Sequence, residues 1–258
     1  MKIAVITGAS SGIGREFCRQ VDNAGYDEIW GIALEEDKLA SLKDELKTNV
    51  RYFACDLTKE ESFEVYGNAL KESGAEVALL INCSGFGKFG RYDEIPLNQS
   101  LNMIDLNVKA YVRMTEMTIP YMKEGAKIMQ VASVAAFQPV PYLNVYAATK
   151  AFVYSYSCSI ATELKPRKIS VTTVCPFWTK TEFFNRANKT NNNVVSKYVV
   201  MYDARDVVKK ALKDANKGKL VSIYGAKANM SVKMGKLMST KQIMNVWVKQ
   251  QKLDKKYK

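Results

Sequence analysis

The sequence predicts an α/β fold in which a doubly wound parallel sheet of about seven strands carries helices on both faces. Three observations predict it. Short apolar runs of strand character alternate with longer amphipathic segments from Ile3 to Ile223. The first of these runs passes directly into a glycine turn and then a helix. Thr7, Asp56, Asn82, Ser133 and the stretch after Pro176 gather polar groups at strand ends, the edge where parallel sheets bind ligands.

Each element has its own justification. Ile3 to Ile6 reads as a short buried strand, followed by Thr7-Gly8-Ala9-Ser10-Ser11-Gly12-Ile13-Gly14. Ile13, Phe17, Val21 and Ala24 then recur at helical spacing, and Gly25 ends that helix. A strand, a glycine turn and a helix start in succession form an anion site: glycines admit a pyrophosphate close to the backbone, and helix N-terminal N–H groups face it. Residues 28–33 read as the second strand, 37–47 as a helix and 50–55 as the third strand, ending at Asp56-Leu57. A helix over 60–73 leads to a fourth strand over 77–81, which ends at Asn82-Cys83-Ser84-Gly85. Residues 97–123 read as a long helical region with a break at Pro120. The fifth strand, 126–132, ends at Ser133. Val145 to Leu164 supports a helix rich in alanine, with Pro166 after its last turn. Residues 169–175 form the sixth strand, ending at Pro176, and 220–223 a seventh. No internal repeat or low-complexity linker divides the chain, so one domain is expected over residues 1–258.

Composition narrows the chemistry. With 258 residues, 47% of them hydrophobic, the chain has ample core. No apolar run reaches the ~18 residues of a membrane span. The N-terminus opens on a strand pattern rather than a basic leader, so a cytoplasmic protein is expected. Histidine is absent, and Cys18, Cys55, Cys83, Cys158 and Cys175 form no CxxC pair, which disfavours zinc sites and histidine-based hydrolases. From Arg205 to Lys258 there are 15 Lys/Arg and 3 Asp/Glu, so this end carries 15 − 3 = +12, the whole net charge of the chain. A lysine-rich surface of this kind is usually solvated; it also suits an anionic membrane face or an acidic partner.

Tyr146-Ala147-Ala148-Thr149-Lys150 sets a phenol and an amine four residues apart, on one helix face. A neighbouring ammonium favours the phenolate, which turns a tyrosine into a general acid or base near neutral pH. The same pair also arises as a core tyrosine beside a solvated lysine.

Taken together, these motifs resemble the short-chain dehydrogenase/reductase family over nearly the whole chain, and the fold implied is Rossmann-like. The stretch from Thr7 to Gly14 is similar to the family's cofactor loop, Asp56 to its adenine-side residue, and Asn82-Cys83-Ser84-Gly85 to its Asn-Asn-Ala-Gly turn with two positions changed. Asn107, Ser133, Tyr146 and Lys150 match its catalytic tetrad in order and spacing. The resemblance implies an NAD(P)-dependent exchange between a secondary alcohol and a ketone. Tyr146 would be the acid/base, Ser133 the partner of the substrate oxygen, Lys150 the anchor of the ribose hydroxyls and Asn107 the holder of a relay water. It implies cofactor contacts from Gly8, Ser10, Ser11, Gly12, Ile13, Gly14, Asp56, Leu57, Asn82, Gly85, Tyr146, Lys150, Pro176, Thr179 and Thr181, no metal, and a homodimer or homotetramer.

Two departures stand out. Pro176-Phe177 replaces the family's Pro-Gly. Ala33-Leu34-Glu35 offers neither the carboxylate that pairs with the ribose of NAD nor the Arg that pairs with the phosphate of NADP. Ser10, Ser11 and Arg15 are candidates for that phosphate and Glu35 opposes it, so the sequence leans to NADP(H) over NAD(H). Aromatic residues in 86–92, 134–143 and 177–193 suggest a pocket for a hydrophobic, acyl- or steroid-like substrate, or equally ordinary loop packing. Residues 177–200 read as a lid and 226–258 as a basic helical extension with Met230, Met234, Leu237 and Met238 at helical spacing. Gly85-Phe86-Gly87 and this tail resemble the long-chain ketoacyl reductase branch. Nucleic acid is not an expected partner, because aromatics do not interleave with the basic residues. The competing function is a non-catalytic module that senses the nucleotide or docks on an anionic surface.

Overall fold

The computed structural model describes residues 1–187, 194–195 and 197–256. Its main sheet runs β1 (Lys2–Thr7), β2 (Glu28–Ala33), β3 (Asn49–Ala54), β4 (Glu76–Asn82), β5 (Lys127–Val131), β6 (Ser170–Val174) and, numbered in chain order, β9 (Val221–Ser222). All are parallel, in the order β3-β2-β1-β4-β5-β6-β9. The order reverses between β1 and β4, and that reversal opens a crevice beyond the strand ends.

Alternate side chains of β1 feed two cores. Ile3 and Val5 pack with Tyr66 and Leu70 of α4 (Glu60–Ser73), Met114 of α6 (Ala110–Thr118) and Ile160 of α7 (Asn144–Glu163). Ala4 and Ile6 pack with Phe17 and Val21 of α1 (Gly12–Val21), Leu39 of α2 (Glu36–Ala40), Leu42 of α3 (Leu42–Glu45) and Val208 and Ala211 of α9 (Ala204–Asn216). Strands buried on both faces need the near-continuous apolar runs that the sequence shows.

Three details differ from the expected elements. The helix expected over 37–47 breaks at Ser41, because the Lys38 carbonyl accepts from Ser41 Oγ at 2.9 Å and from Arg15 Nη1 at 2.7 Å. The long region after α5 (Leu97–Ile104) contains a π-helical turn, Asp105–Lys109, which swings Asn107 inward; a short 3-10 turn carries Pro120. A second, two-stranded parallel sheet pairs β7 (Thr179–Lys180) with β8 (Tyr202–Asp203), and α8 (Phe183–Ala187) lies between them in sequence. Of the expected lid over 177–200, residues 188–193 and 196 lie outside the described residues. After β9 come α10 (Ala226–Leu237), α11 (Thr240–Gln250) and α12 (Leu253–Lys256). No helix among the described residues is long and apolar enough to cross a membrane.

Candidate active site

At the β1 end of the crevice the chain makes a cradle out of backbone. A Cβ added to Gly14 would lie 2.1 Å from the Gly8 carbonyl oxygen, so only glycine lets α1 start this close to the turn. Ser11 caps α1 without placing its hydroxyl on the first-turn amides, and that turn has no acidic side chain. Those N–H groups and the helix dipole therefore face the cleft, ready for an anion. Gly8, Ser10, Ser11, Gly12, Ile13 and Gly14 all border a cavity of about 770 Å³. The Thr7 hydroxyl accepts from the Cys83 and Ser84 amides at 2.9 and 3.0 Å, tying the ends of β1 and β4 together.

Asp56 and Leu57 border the same cavity, and Asp56 is oriented by the Thr58 amide, which donates to its carboxylate at 2.9 Å. Asn82 does not reach the cleft. It is buried, and its amide donates to Thr115 and Gln130, each at 3.0 Å, beneath the cleft floor. Gly85 does border the cavity; a Cβ there would lie 2.9 Å from Asn107 Oδ1 and 3.3 Å from Lys150 Nζ. Pro176, Thr179 and Thr181 close the far side, and the Thr179 hydroxyl donates to the Phe177 carbonyl at 2.9 Å.

Farther along the cleft, Ser133 lies two residues past β5 at the start of a 3-10 turn, and Tyr146 and Lys150 project from the first turns of α7. The Ser133 hydroxyl lies near enough to that of Tyr146 to favour its phenolate, and it accepts from the Ala135 amide at 3.1 Å. Lys150 Nζ donates to the Val131 carbonyl at 2.9 Å and to the Tyr111 hydroxyl at 3.5 Å, and lies 5.9 Å from the Tyr146 ring centroid. Asn107 stands behind this group, fully buried. It takes the Phe86 amide at 3.1 Å and gives to the Phe86 carbonyl at 2.9 Å and to Thr149 at 3.1 Å.

The electrostatics differ from the simple expectation that Lys150 acidifies Tyr146. Burial pushes the Tyr146 phenol up to about 12, and what pulls against that is the neighbouring Ser133 hydroxyl. Burial also lowers Lys150 to about 8, because its ammonium is desolvated and its bonds go to neutral oxygens. Tyr146 is thus held as a proton donor through the neutral range.

A profile for the family described as short chain dehydrogenase matches residues 2–192. The chain belongs to the short-chain dehydrogenase/reductase family. Members are NAD(P)-dependent oxidoreductases acting on CH–OH groups. This family member is 33% identical over 205 residues to a probable NADP-dependent dehydrogenase of Haemophilus influenzae, covering 75% of this chain and 81% of that one. It is 32% identical over 189 residues to the very-long-chain 3-oxoacyl-CoA reductase of Rattus norvegicus, covering 69% of this chain and 60% of that one. Among solved structures it is similar to a short-chain dehydrogenase from Sphingobium yanoikuyae in complex with NADPH, with a TM-score of 0.78, 27% identity and coverage of 91% and 93%.

In this dehydrogenase the wall opposite the cradle is aromatic. Phe89 meets Trp178 and Phe183 at centroid distances of 6.4 and 6.3 Å, and Phe183 meets Tyr146 at 5.5 Å. Phe177, where the family has glycine, borders the cavity and sets its ring 5.9 Å from that of Trp178. Sequence reasoning missed Trp247 of α11. It lines the cavity, stacks on Trp178 at 6.3 Å and donates to the Pro141 carbonyl at 2.9 Å. Its spacing with Ile243 on an amphipathic segment was a visible signal, since both are buried. Of the expected phosphate ligands, Ser10 donates to Glu35 at 2.8 Å, while Arg15 is paired with Glu45 and the Lys38 carbonyl. All five cysteines are free thiols; Cys18 and Cys175 are buried and the rest half-buried.

Proposed function

We propose that this oxidoreductase interconverts a secondary alcohol and a ketone of hydrophobic character, with Tyr146 as the acid/base. The observation that carries the reading is the Tyr146–Ser133 hydroxyl pair, with Lys150 beside it, bordering one cavity with the glycine cradle. The cradle fits a dinucleotide: a Cβ at Gly14 would drive α1 off the turn that shapes it, and the first-turn amides of α1 are left open toward it. A nicotinamide bound there supplies the hydride. Ser133 holds the substrate oxygen, and Tyr146 gives its proton to that oxygen in reduction or takes it in oxidation. Lys150 anchors the ribose hydroxyls, and Gly85 leaves room for its amine beside Asn107. Asn107 fixes the backbone of Phe86 and, through Thr149, the turn that carries Tyr146. Asp56 and Leu57 take the adenine side, and Thr179 and Thr181 the nicotinamide amide.

The substrate reading rests on the aromatic wall and on the named activity of the rat relative, a reductase of long acyl-CoA ketones of which this chain spans three fifths. Within NAD(P) we propose NADP(H), since no carboxylate stands at Ala33 and the Haemophilus relative is named as NADP-dependent. The test is to mix the protein with NADPH and a panel of bulky and small ketones and follow cofactor absorbance. Faster reduction of bulky ketones is expected. Tight NADPH binding with no turnover across the panel would overturn the activity, and a clear preference for NADH would overturn the cofactor choice.

A further inference from the structure

Helix α10 has two working faces. Ser231, Val232 and Gly235 border the active-site cavity, with the exposed Lys227 at its rim, and Ala228 and Val232 are buried. On the opposite side Met230, Met234 and Leu237 recur at i, i+4 and i+7 and are 58%, 55% and 88% exposed. At about 100° per residue, Lys227 and Lys233 stand on either flank of this stripe. Lys236 points elsewhere, its amine 5.8 Å from the Phe137 ring centroid. No Asp or Glu occurs between Ala226 and Leu253, and the end of the chain from Arg205 carries 15 − 3 = +12.

We propose that α10 is an interfacial helix that seats the enzyme on an anionic lipid bilayer. Met230, Met234 and Leu237 enter the acyl boundary, and Lys227 and Lys233 reach the headgroups with their stems along the apolar surface. The charge selects this occupant. A second copy would set these lysines against their own counterparts with no acid in the segment to neutralise them. A soluble acidic partner would answer the lysines but not an exposed stripe of three flexible apolar side chains. Because the other face of the same helix walls the cavity, the site would open beside the bilayer that holds a hydrophobic substrate. The seating is independent of the proposed reaction, and its test needs no turnover.

The test is co-sedimentation of the full chain with vesicles of phosphatidylcholine alone and of phosphatidylcholine with phosphatidylserine. The wild type is expected to pellet with the anionic vesicles and to be released by high salt. Met230→Ser/Met234→Ser/Leu237→Ser, with its lysines intact and an unchanged melting temperature, is expected to lose roughly tenfold or more in partitioning. Lys233→Gln is expected to lose roughly fivefold, from about 1 kcal/mol per lysine at the surface. Equal binding to neutral vesicles, or equal binding by the triple variant, overturns the proposal. So does an absence of vesicle binding, whether light scattering then shows that the stripe pairs two copies or an immobilised polyglutamate column retains the wild type.

Discussion

At the cradle end of the cleft, backbone meets backbone: a methyl group on Gly14 would sit 2.1 Å from the Gly8 oxygen. At the substrate end, rings meet rings, with Phe89, Trp178, Phe183 and Trp247 drawn from three separate stretches of chain. The first surface binds through amides that every residue possesses, so it depends on glycine spacing and leaves little room for variation. In the proposed reaction the second acts through side-chain shape, so it would set which ketone enters. Tyr146 belongs to both, facing Ser133 on one side and the Phe183 ring on the other.

The comparison can be broken by changing one end and watching the other. The largest effect is expected from Gly14→Ala. The new methyl forces α1 away from the turn, and cofactor affinity should fall by at least about tenfold, with a loss of roughly 2–3 kcal/mol in stability. Calorimetric titration and thermal melting check it; near-normal affinity would mean that the cradle is not the cofactor site. Next comes Trp247→Ala, which removes the stack on Trp178 and orphans the Pro141 carbonyl bond. KM for bulky ketones should rise roughly tenfold while cofactor affinity holds, an outcome read from steady-state kinetics. A matching loss in cofactor affinity would show that the two surfaces are not separable.

Lys150 sits where the surfaces join, and its signature is in stability against pH. Burial lowers it from the ordinary 10.5 to about 8, so between those values the unfolded chain holds a proton that the folded chain has shed. Stability attributable to Lys150 therefore climbs as pH rises through about 8. Tyr146, pushed up to about 12, works the other way only above its ordinary 10. Between about pH 7.5 and about pH 9.5 the wild type should gain up to about 2 kcal/mol on Lys150→Met. Melting curves of the pair at both values check this; parallel changes would show that Lys150 is not desolvated. The smallest effect is expected from Glu35→Ala, which removes a carboxylate held by Ser10 at the cofactor end. NADPH affinity should improve about threefold with ketone KM unchanged, as measured by fluorescence titration; unchanged NADPH affinity would take Glu35 out of cofactor choice.

Much of the fold was legible because a strand buried on both faces must be apolar throughout and its polar residues then mark its end. Thr7, Asp56, Asn82 and Ser133 mark the ends of four strands in this way. The helix over residues 204–216 was not assigned from sequence, although Val207, Val208, Ala211 and Ala215 carry its buried stripe. The cradle was readable because close backbone approach admits one residue type. Asn82 illustrates the limit: a motif position beside the cleft turned out to brace Thr115 and Gln130 below it. Asn107 was legible as a tetrad position by its place in the chain, but the π turn that aims it at Phe86 depends on tertiary bonds. Trp247 reaches the cavity from about a hundred residues beyond Tyr146, and only the folded path of the C-terminal helices brings it there. The phenol's acidity was misjudged for a related reason: residue spacing shows a nearby ammonium, and only the structure shows how deeply both groups are desolvated.

The central claim is that the Tyr146 hydroxyl passes its proton to the substrate oxygen. A single-turnover reduction of a bulky ketone by cofactor-loaded protein, wild type against Tyr146→Phe, measures it most directly. The account predicts a rate lower by about 10²–10⁴-fold in the variant, with cofactor and ketone affinities within about twofold of wild type. A variant that reduces the ketone at the wild-type rate would contradict it.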